Sequence, residues 1–193
     1  AGIPGDVFIE DFLADCTPAQ QAQIAKEYVK FNERCMIRLL GDMRAYNYVI
    51  IPTHDFDQVI YKIRAIDFDQ QSYEGKLKVY RPQFFKENFP MVSIVKDKLT
   101  LGSVNQYKIE ERSIVAKRVI SSGTRLDNLV TIMKLDMLTQ PNYLKNLSAE
   151  IFKFTKDEAF KNTKSMGDVM EASLNYVRRH YENLNMTKLI QSS

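Results

Sequence analysis

The sequence predicts an α+β fold that is mainly helical and contains one short β-hairpin. Apolar residues recur at helical spacing in residues 18–40 and again in most of the chain from residue 103 onward, which indicates long helices. Between these regions, residues 48–52 and 58–68 are rich in β-branched and aromatic side chains and are separated by a turn-rich segment. That pattern is typical of two strands that pair with each other.

The N-terminal part is predicted to be a strand followed by a long helix. Residues 7–13, VFIEDFL, mix β-branched and aromatic residues with acids, which favours a short strand leading into a connector. Thr17 is then expected to cap a helix in which Pro18 takes the first position. Because the apolar spacing continues to Leu39, this helix should run from about 18 to 40.

The C-terminal half is predicted to be helical after an irregular connection. Residues 72–102 contain aromatics and two prolines with few periodic signals, so we expect them to be ordered but irregular. Apolar periodicity and breaking residues then define four helices. These cover residues 103–123, 124–138, 142–154 and 166–184.

Composition places the chain among ordinary globular proteins. Its 193 residues are 45% hydrophobic and 26% charged, which is enough for one sizeable core. The 27 basic and 24 acidic residues are spread along the chain, so charge by itself does not indicate a nucleic-acid or membrane partner. No apolar run is long enough to span a membrane.

Cysteine and histidine are too sparse for a zinc site. The chain contains only Cys16, Cys35, His54 and His180 of these types, without CxxC spacing or a cluster. Two cysteines without a disulfide framework favour a reduced, cytoplasmic protein.

Three oxygen-bearing side chains are predicted to meet at one end of the hairpin. Asp42 and Asn47 lie between the long helix and the first strand, and Asp67 ends the second strand. The start of one strand and the end of its antiparallel partner lie at the same end of a hairpin, so the three side chains can converge. An Asn amide and an Asp carboxylate are suitable magnesium ligands, and a separate carboxylate can orient an acceptor hydroxyl in phosphoryl transfer.

These motifs resemble the C-terminal lobe of the protein-kinase-like superfamily. GDMRAYN at 41–47 and AIDFD at 65–69 carry the resemblance, with the hairpin between them. The five-residue step from the acid to the amide matches the protein-kinase catalytic loop. The sequence is most similar to the atypical branches, namely the HipA-like proteins, the phosphoinositide-kinase-like proteins and the small-molecule phosphotransferases, over roughly residues 7–75.

The resemblance implies an ATP- and magnesium-dependent phosphotransferase. Asp42 would be the catalytic residue, and Asn47 and Asp67 would hold magnesium. Asp69 is a weaker metal candidate. The phosphoryl acceptor, whether protein, lipid, sugar or another small molecule, stays open.

The resemblance also assigns the N-terminal residues. Residues 1–15 would be the last N-lobe strand and the hinge, in which the backbone of Glu10, Asp11 and Phe12 binds adenine. Residues 16–193 would be the C-terminal lobe as a single domain. A glycine-rich loop and a strand lysine are absent, so we expect a missing N-lobe or upstream segment as partner and poor catalysis without it.

Three other interpretations stay open at this point. The chain is a kinase-fold pseudoenzyme or interaction module if its lack of the family's histidines, replaced here by Leu40 and Arg44, has removed activity. It is an unrelated α/β domain if Asp42 only caps a turn and Asn47 is only a left-handed residue. Aromatic and basic residues alternate in 72–89 as in nucleic-acid platforms, although an activation-segment equivalent is the favoured interpretation there.

Overall fold

A computed structural model describes the backbone of residues 2–66, 76–135 and 140–191, and side chains up to residue 180. The described residues form two compact units. The first unit contains the described residues up to 109, except 37–39, 76 and 77, and the second contains those exceptions and everything from residue 110 onward.

The first unit combines a small antiparallel sheet with helices. Three strands pair in the order β1-β2-β3. Its core collects side chains from both helices and strands, among them Phe8, Tyr28, Phe31, Tyr48 and Met91. The elements are β1 (Ile3–Pro4), α1 (Gly5–Asp11), α2 (Pro18–Arg38), β2 (Tyr48–Asp55), β3 (Gln58–Ala65) and α3 (Phe89–Lys98).

The predicted strand at 7–13 is wrong, because these residues belong to α1 and to the turn that follows it. Phe8 is buried, and its ring stacks on that of Phe12 with the centroids 6.0 Å apart. This four-residue step is the spacing of neighbours on one helix face. Packing of Phe8 against Tyr61, at 5.4 Å between ring centroids, therefore outweighs the strand preference of the individual residues.

The long helix predicted from the sequence is confirmed as α2, Pro18–Arg38. Its first turn is closed by a reciprocal capping box. The backbone N–H of Gln20 donates to Oγ1 of Thr17 at 3.2 Å, and the backbone N–H of Thr17 donates to Oε1 of Gln20 at 2.9 Å. The buried side of the helix is the predicted apolar stripe, which contains Ile24, Tyr28, Phe31 and Cys35.

The predicted hairpin is also confirmed, with a shorter turn than expected. Its antiparallel register pairs Tyr48 with Ala65 at one end and Asp55 with Gln58 at the other. Only Phe56 and one further residue make the turn, since residues 53–55 continue the first strand.

Phe56 predicts a stabilising substitution. Its φ is 50°, in the left-handed region, and its side chain is 100% exposed, so the ring contributes nothing to packing. Replacing Phe56 by glycine should therefore raise the free energy of unfolding by about 0.5–1 kcal/mol, since glycine adopts this φ without steric cost. Urea denaturation of Phe56→Gly and Phe56→Ala tests this, because alanine keeps the left-handed strain. A glycine variant no more stable than the alanine variant contradicts the prediction.

Side chains from α2 occupy the outer edge of β3. The Gln23 amide donates to the carbonyl oxygen of Tyr61 and accepts from its N–H, both at 2.9 Å. Arg34 donates to the carbonyl oxygen of Ile63 at 3.0 Å and also pairs with Glu27 at 3.0 Å. The helix is thus fixed to the sheet by hydrogen bonds as well as by apolar packing.

The connection predicted as irregular is partly helical. Residues 77–88 form three short 3₁₀ turns, in line with the prediction, but Phe89–Lys98 is an α-helix that was not predicted. Proline stands in the first turn of this helix, where it favours helix initiation, and Lys96 and Lys98 lie in its last turn.

Helices dominate the second unit, as predicted. The helix α4 (Leu101–Leu135), which begins in the first unit, is interrupted at Gly123, where φ is 45° and ψ is −130°. This is the predicted break, because glycine tolerates the conformation. Helices α5 (Pro141–Thr155) and α6 (Met166–Gln191) follow, and the last residues of the predicted helix 124–138 lie outside the described part.

The described residues confirm an α+β, mainly helical fold. None of the described helices is long and apolar enough to cross a membrane.

Candidate functional site

The loop between α2 and β2 has an unusual backbone at Asp42. Its φ is 53°, and that of nearby Leu39 is 52°, both in the left-handed region that L-residues seldom occupy. The Asp42 N–H donates to the carbonyl oxygen of Val79 at 3.0 Å, and the Arg44 N–H donates to the carbonyl oxygen of Asp42 at 2.8 Å. Contacts on both sides therefore hold a conformation that costs free energy, as is frequent at functional sites.

Asn47 is bound directly to Asp42. Its Nδ2 donates to the backbone carbonyl oxygen of Asp42 at 2.7 Å, and its side chain is largely buried. This bond assigns the amide orientation, because only the NH₂ group can donate. The other polar atom of this amide, Oδ1, is an oxygen of the kind that binds magnesium, and it lies beside Asp42.

The structure therefore brings two of the three predicted site residues together. Asp67 and Asp69 lie outside the described residues. The ladder does extend past the last strand pair, since the Ile66 N–H donates to the carbonyl oxygen of Asn47 at 3.1 Å. The residue immediately before Asp67 thus lies against Asn47, as the hairpin hypothesis requires.

Arg44 contributes a positive charge that the sequence pattern did not assign to the site. Its Nε donates to Oδ1 of Asp42 at 3.0 Å, and its Nη1 donates to Oε1 of Glu87 at 2.9 Å. The guanidinium also lies over the ring of Phe85, 4.9 Å from the centroid. One guanidinium is thus shared by two carboxylates, and Lys86 adds a second positive charge near Glu87.

The same contacts shift the pKa of both partners. Hydrogen bonding to Glu87, and then to Asp42, raises the pKa of Arg44. The pKa of the Glu87 carboxyl is lowered chiefly by a hydrogen bond from its own backbone N–H and further by Arg44. Both directions favour the ionised pair.

Asn88 connects the loop to the 3₁₀ segment and is fully buried. Its Nδ2 donates to the carbonyl oxygens of Met43 at 2.9 Å and Pro82 at 2.8 Å. Its Oδ1 accepts from the hydroxyl of Tyr48 at 2.7 Å. No sequence signal identified Asn88, because its partners on the loop and on β2 lie 45 and 40 residues away.

The residues predicted as the hinge lie at the end of a helix, and adenine binding by their backbone stays a prediction. Glu10 and Asp11 lie in the last turn of α1, and Phe12 caps this helix with its N–H donating to the carbonyl oxygen of Phe8 at 3.0 Å. All three side chains are exposed. The strand expected before the hinge is the helix α1, because Phe8 packs against Tyr61 from a helix face.

The aromatic segment lacks the surface of a continuous stacking platform. Tyr80 is fully buried, and Phe85 is covered by Arg44. Phe84 is exposed, and the guanidinium carbon of Arg81 lies 5.4 Å from the centroid of its ring. Tyr73 lies outside the described residues. The described residues of this segment from 78 onward belong to the first unit, and Phe84 and Phe89 are about half exposed. The activation-segment interpretation expected packing on the helical block, so it stays a prediction.

A cluster of three or more His, Cys, Asp or Glu side chains suited to a metal is absent from residues 2–66, 76–135 and 140–180. The predicted magnesium ligands are an amide and the carboxylate of Asp67, which lies outside these ranges. Magnesium binding therefore stays a prediction, and the acceptor oxygen of Asn47 is the observation that fits it.

Comparison of the chain with protein-family models, curated proteins and solved structures finds no match. The kinase-like interpretation therefore depends on the loop at 41–47, the hairpin and their geometry.

Proposed function

We propose that the chain is the C-terminal lobe of an ATP- and magnesium-dependent phosphotransferase of the kinase-like fold. The observation that carries the proposal is the 2.7 Å hydrogen bond from Nδ2 of Asn47 to the carbonyl oxygen of Asp42. It holds a carboxylate-bearing residue and an amide acceptor five positions apart in one fixed loop, and the hairpin ladder extends to Ile66, whose N–H donates to the carbonyl oxygen of Asn47.

In this proposal Asp42 acts on the acceptor. Its carboxylate is about one-third exposed, so a hydroxyl group can reach it. The carboxylate accepts the hydroxyl proton as the acceptor oxygen bonds to the γ-phosphorus, and the bond from that phosphorus to the leaving oxygen of ADP breaks. Arg44 orients the carboxylate through its bond to Oδ1.

Asn47 and Asp67 are the residues that would hold magnesium. Bound magnesium would neutralise phosphate charge beside the carboxylate of Asp42. The buried amide of Asn47 cannot rotate without losing its bond to Asp42, so its Oδ1 stays directed away from that carbonyl.

Calorimetric titration with ATP, with and without magnesium, tests this proposal. The titration uses the chain with any native upstream residues restored. Asp67→Ala should weaken magnesium-dependent binding by about tenfold or more, because a charged ligand oxygen is removed. Asp57→Ala is the matched control, since it removes an exposed acid from the opposite end of the same hairpin. An ATP affinity that is the same with and without magnesium, or the same in Asp67→Ala as in the wild-type protein, would rule the proposal out.

A pseudoenzyme or interaction module is the second candidate, and the Arg44 contacts favour it. Arg44 already occupies Oδ1 of Asp42, so an acceptor hydroxyl would compete with the guanidinium for this carboxylate. Magnesium-dependent ATP binding without any ATP turnover, in the same restored protein, would select this candidate over the phosphotransferase.

A further inference from the structure

We propose that Asn88 is a positioning residue of the loop at 41–47, through which residues 82–88 control the geometry of Asp42 and Asn47. The inference rests on the proposed function, which identifies this loop as the site. Nothing in the sequence pattern assigns Asn88 a role.

The contacts of Asn88 are those of a buried link between two segments. Both bonds donated by its amide end on backbone carbonyl oxygens, one at Met43 in the loop and one at Pro82 in the 3₁₀ segment. The hydroxyl of Tyr48 donates to Oδ1 of Asn88, so Nδ2 is the amide atom that faces the two carbonyl oxygens. Tyr48 itself is fully buried, so the whole link is shielded from water.

Met43 directly follows Asp42 in the chain, so a restraint on the Met43 carbonyl also restrains the backbone of Asp42. Asp42 has a left-handed backbone, which relaxes unless neighbouring contacts hold it. The carbonyl of Met43 is fixed by Asn88 on one side of the strained residue, and the N–H of Asp42 is fixed by Val79. Both restraints come from the chain between residues 77 and 88.

A second contact makes the control electrostatic as well as steric. Glu87, adjacent to Asn88, binds the guanidinium that also binds the Asp42 carboxylate. Movement of residues 82–88, by a bound acceptor or a partner, would therefore change both the backbone and the charge at Asp42. The site is regulated through this segment and not only through its own loop.

Hydrogen exchange of backbone amides, measured by mass spectrometry, separates positioning from general stability. In Asn88→Ala the carbonyl oxygens of Met43 and Pro82 lose their buried donor. Exchange in residues 41–48 should then rise about tenfold or more relative to the change in α2. Tyr48→Phe, which keeps the ring, should produce a smaller rise in the same loop and decides the matter if Asn88→Ala does not fold.

Asn32→Ala is the matched control. The Asn32 side chain also binds the 3₁₀ segment, accepting from the Gln83 N–H at 3.0 Å, and none of its bonds reaches the loop. Its loop exchange relative to α2 should rise much less than in Asn88→Ala, since Met43 keeps its donor. Equal loosening of the loop in Asn32→Ala and Asn88→Ala, or loosening spread evenly over α2 and the loop, overturns the inference.

Magnesium–ATP affinity supplies the functional readout. If the wild-type protein binds, Asn88→Ala should weaken binding by about tenfold, and Asn32→Ala should weaken it much less. Unchanged affinity in Asn88→Ala overturns the positioning role. If the wild-type protein does not bind, the proposed function fails, and the exchange comparison still decides whether Asn88 positions the loop.

Discussion

Gly5→Ala should destabilise the first unit by about 3 kcal/mol or more, enough to unfold a marginal protein. A Cβ at position 5 would lie 2.2 Å from Cε2 of Tyr48 and 2.4 Å from the carbonyl oxygen of Ala45. Tyr48 is fully buried, and the carbonyl of Ala45 belongs to the backbone of the 3₁₀ turn that contains Asn47. Neither group can retreat without moving the candidate site.

Urea denaturation followed by circular dichroism measures this loss. Gly102→Ala is the control, because the nearest atom to its added Cβ is 3.8 Å away and the residue lies in the first turn of α4. That change should be neutral or stabilising by up to about 1 kcal/mol, since alanine is the better helix former. A Gly5→Ala protein as stable as Gly102→Ala would show that α1 can move away from Tyr48.

Phe31→Ala should lower the free energy of unfolding by about 3–5 kcal/mol. Phe31 is 1% exposed, and its ring meets that of Tyr48 edge to face, with the centroids 5.2 Å apart. The truncation leaves a cavity between α2 and β2 directly under the residue that follows Asn47. Loss of the aromatic pair adds to the cost of the cavity.

The urea midpoint of Phe31→Ala is best compared with that of Phe84→Ala. Phe84 lies in the same unit, is about half exposed and contacts the guanidinium of Arg81. Its truncation should cost no more than about 1 kcal/mol. Similar midpoints for the two variants would mean that the core collapses around a smaller residue at position 31.

Local chemistry explains which elements were predictable. The capping box at Thr17, the apolar stripe along α2 and the strand pattern of the hairpin all depend on residues that are close in the sequence. The segment 7–13 was mispredicted because strand preference is decided by neighbours, and here Phe8 finds its neighbours on a helix face. In α3, proline acted as a helix initiator where the sequence was interpreted as irregular.

Some features of the candidate site could be predicted from the sequence, and others depend on contacts between distant residues. The spacing of Asp42 and Asn47 is local, and their direct hydrogen bond follows it. The roles of Glu87 and Asn88 depend on partners more than forty residues away in the chain, for which a single sequence carries no signal. The positive φ of Asp42 was also unpredictable, because it results from the tertiary contacts that hold the loop.

The side chains that α2 places along β3 limit how this protein can associate. β3 is the last strand of the sheet that the described residues form. Exposed backbone groups at such a position allow another strand to add, and aggregation often begins there. Here an incoming strand would first have to displace the Gln23 amide from Tyr61 and the Arg34 guanidinium from Ile63. The hydrogen bonds that orient the helix therefore also disfavour polymerisation through β3. A partner protein that binds this edge would have to contact side chains instead of the strand backbone.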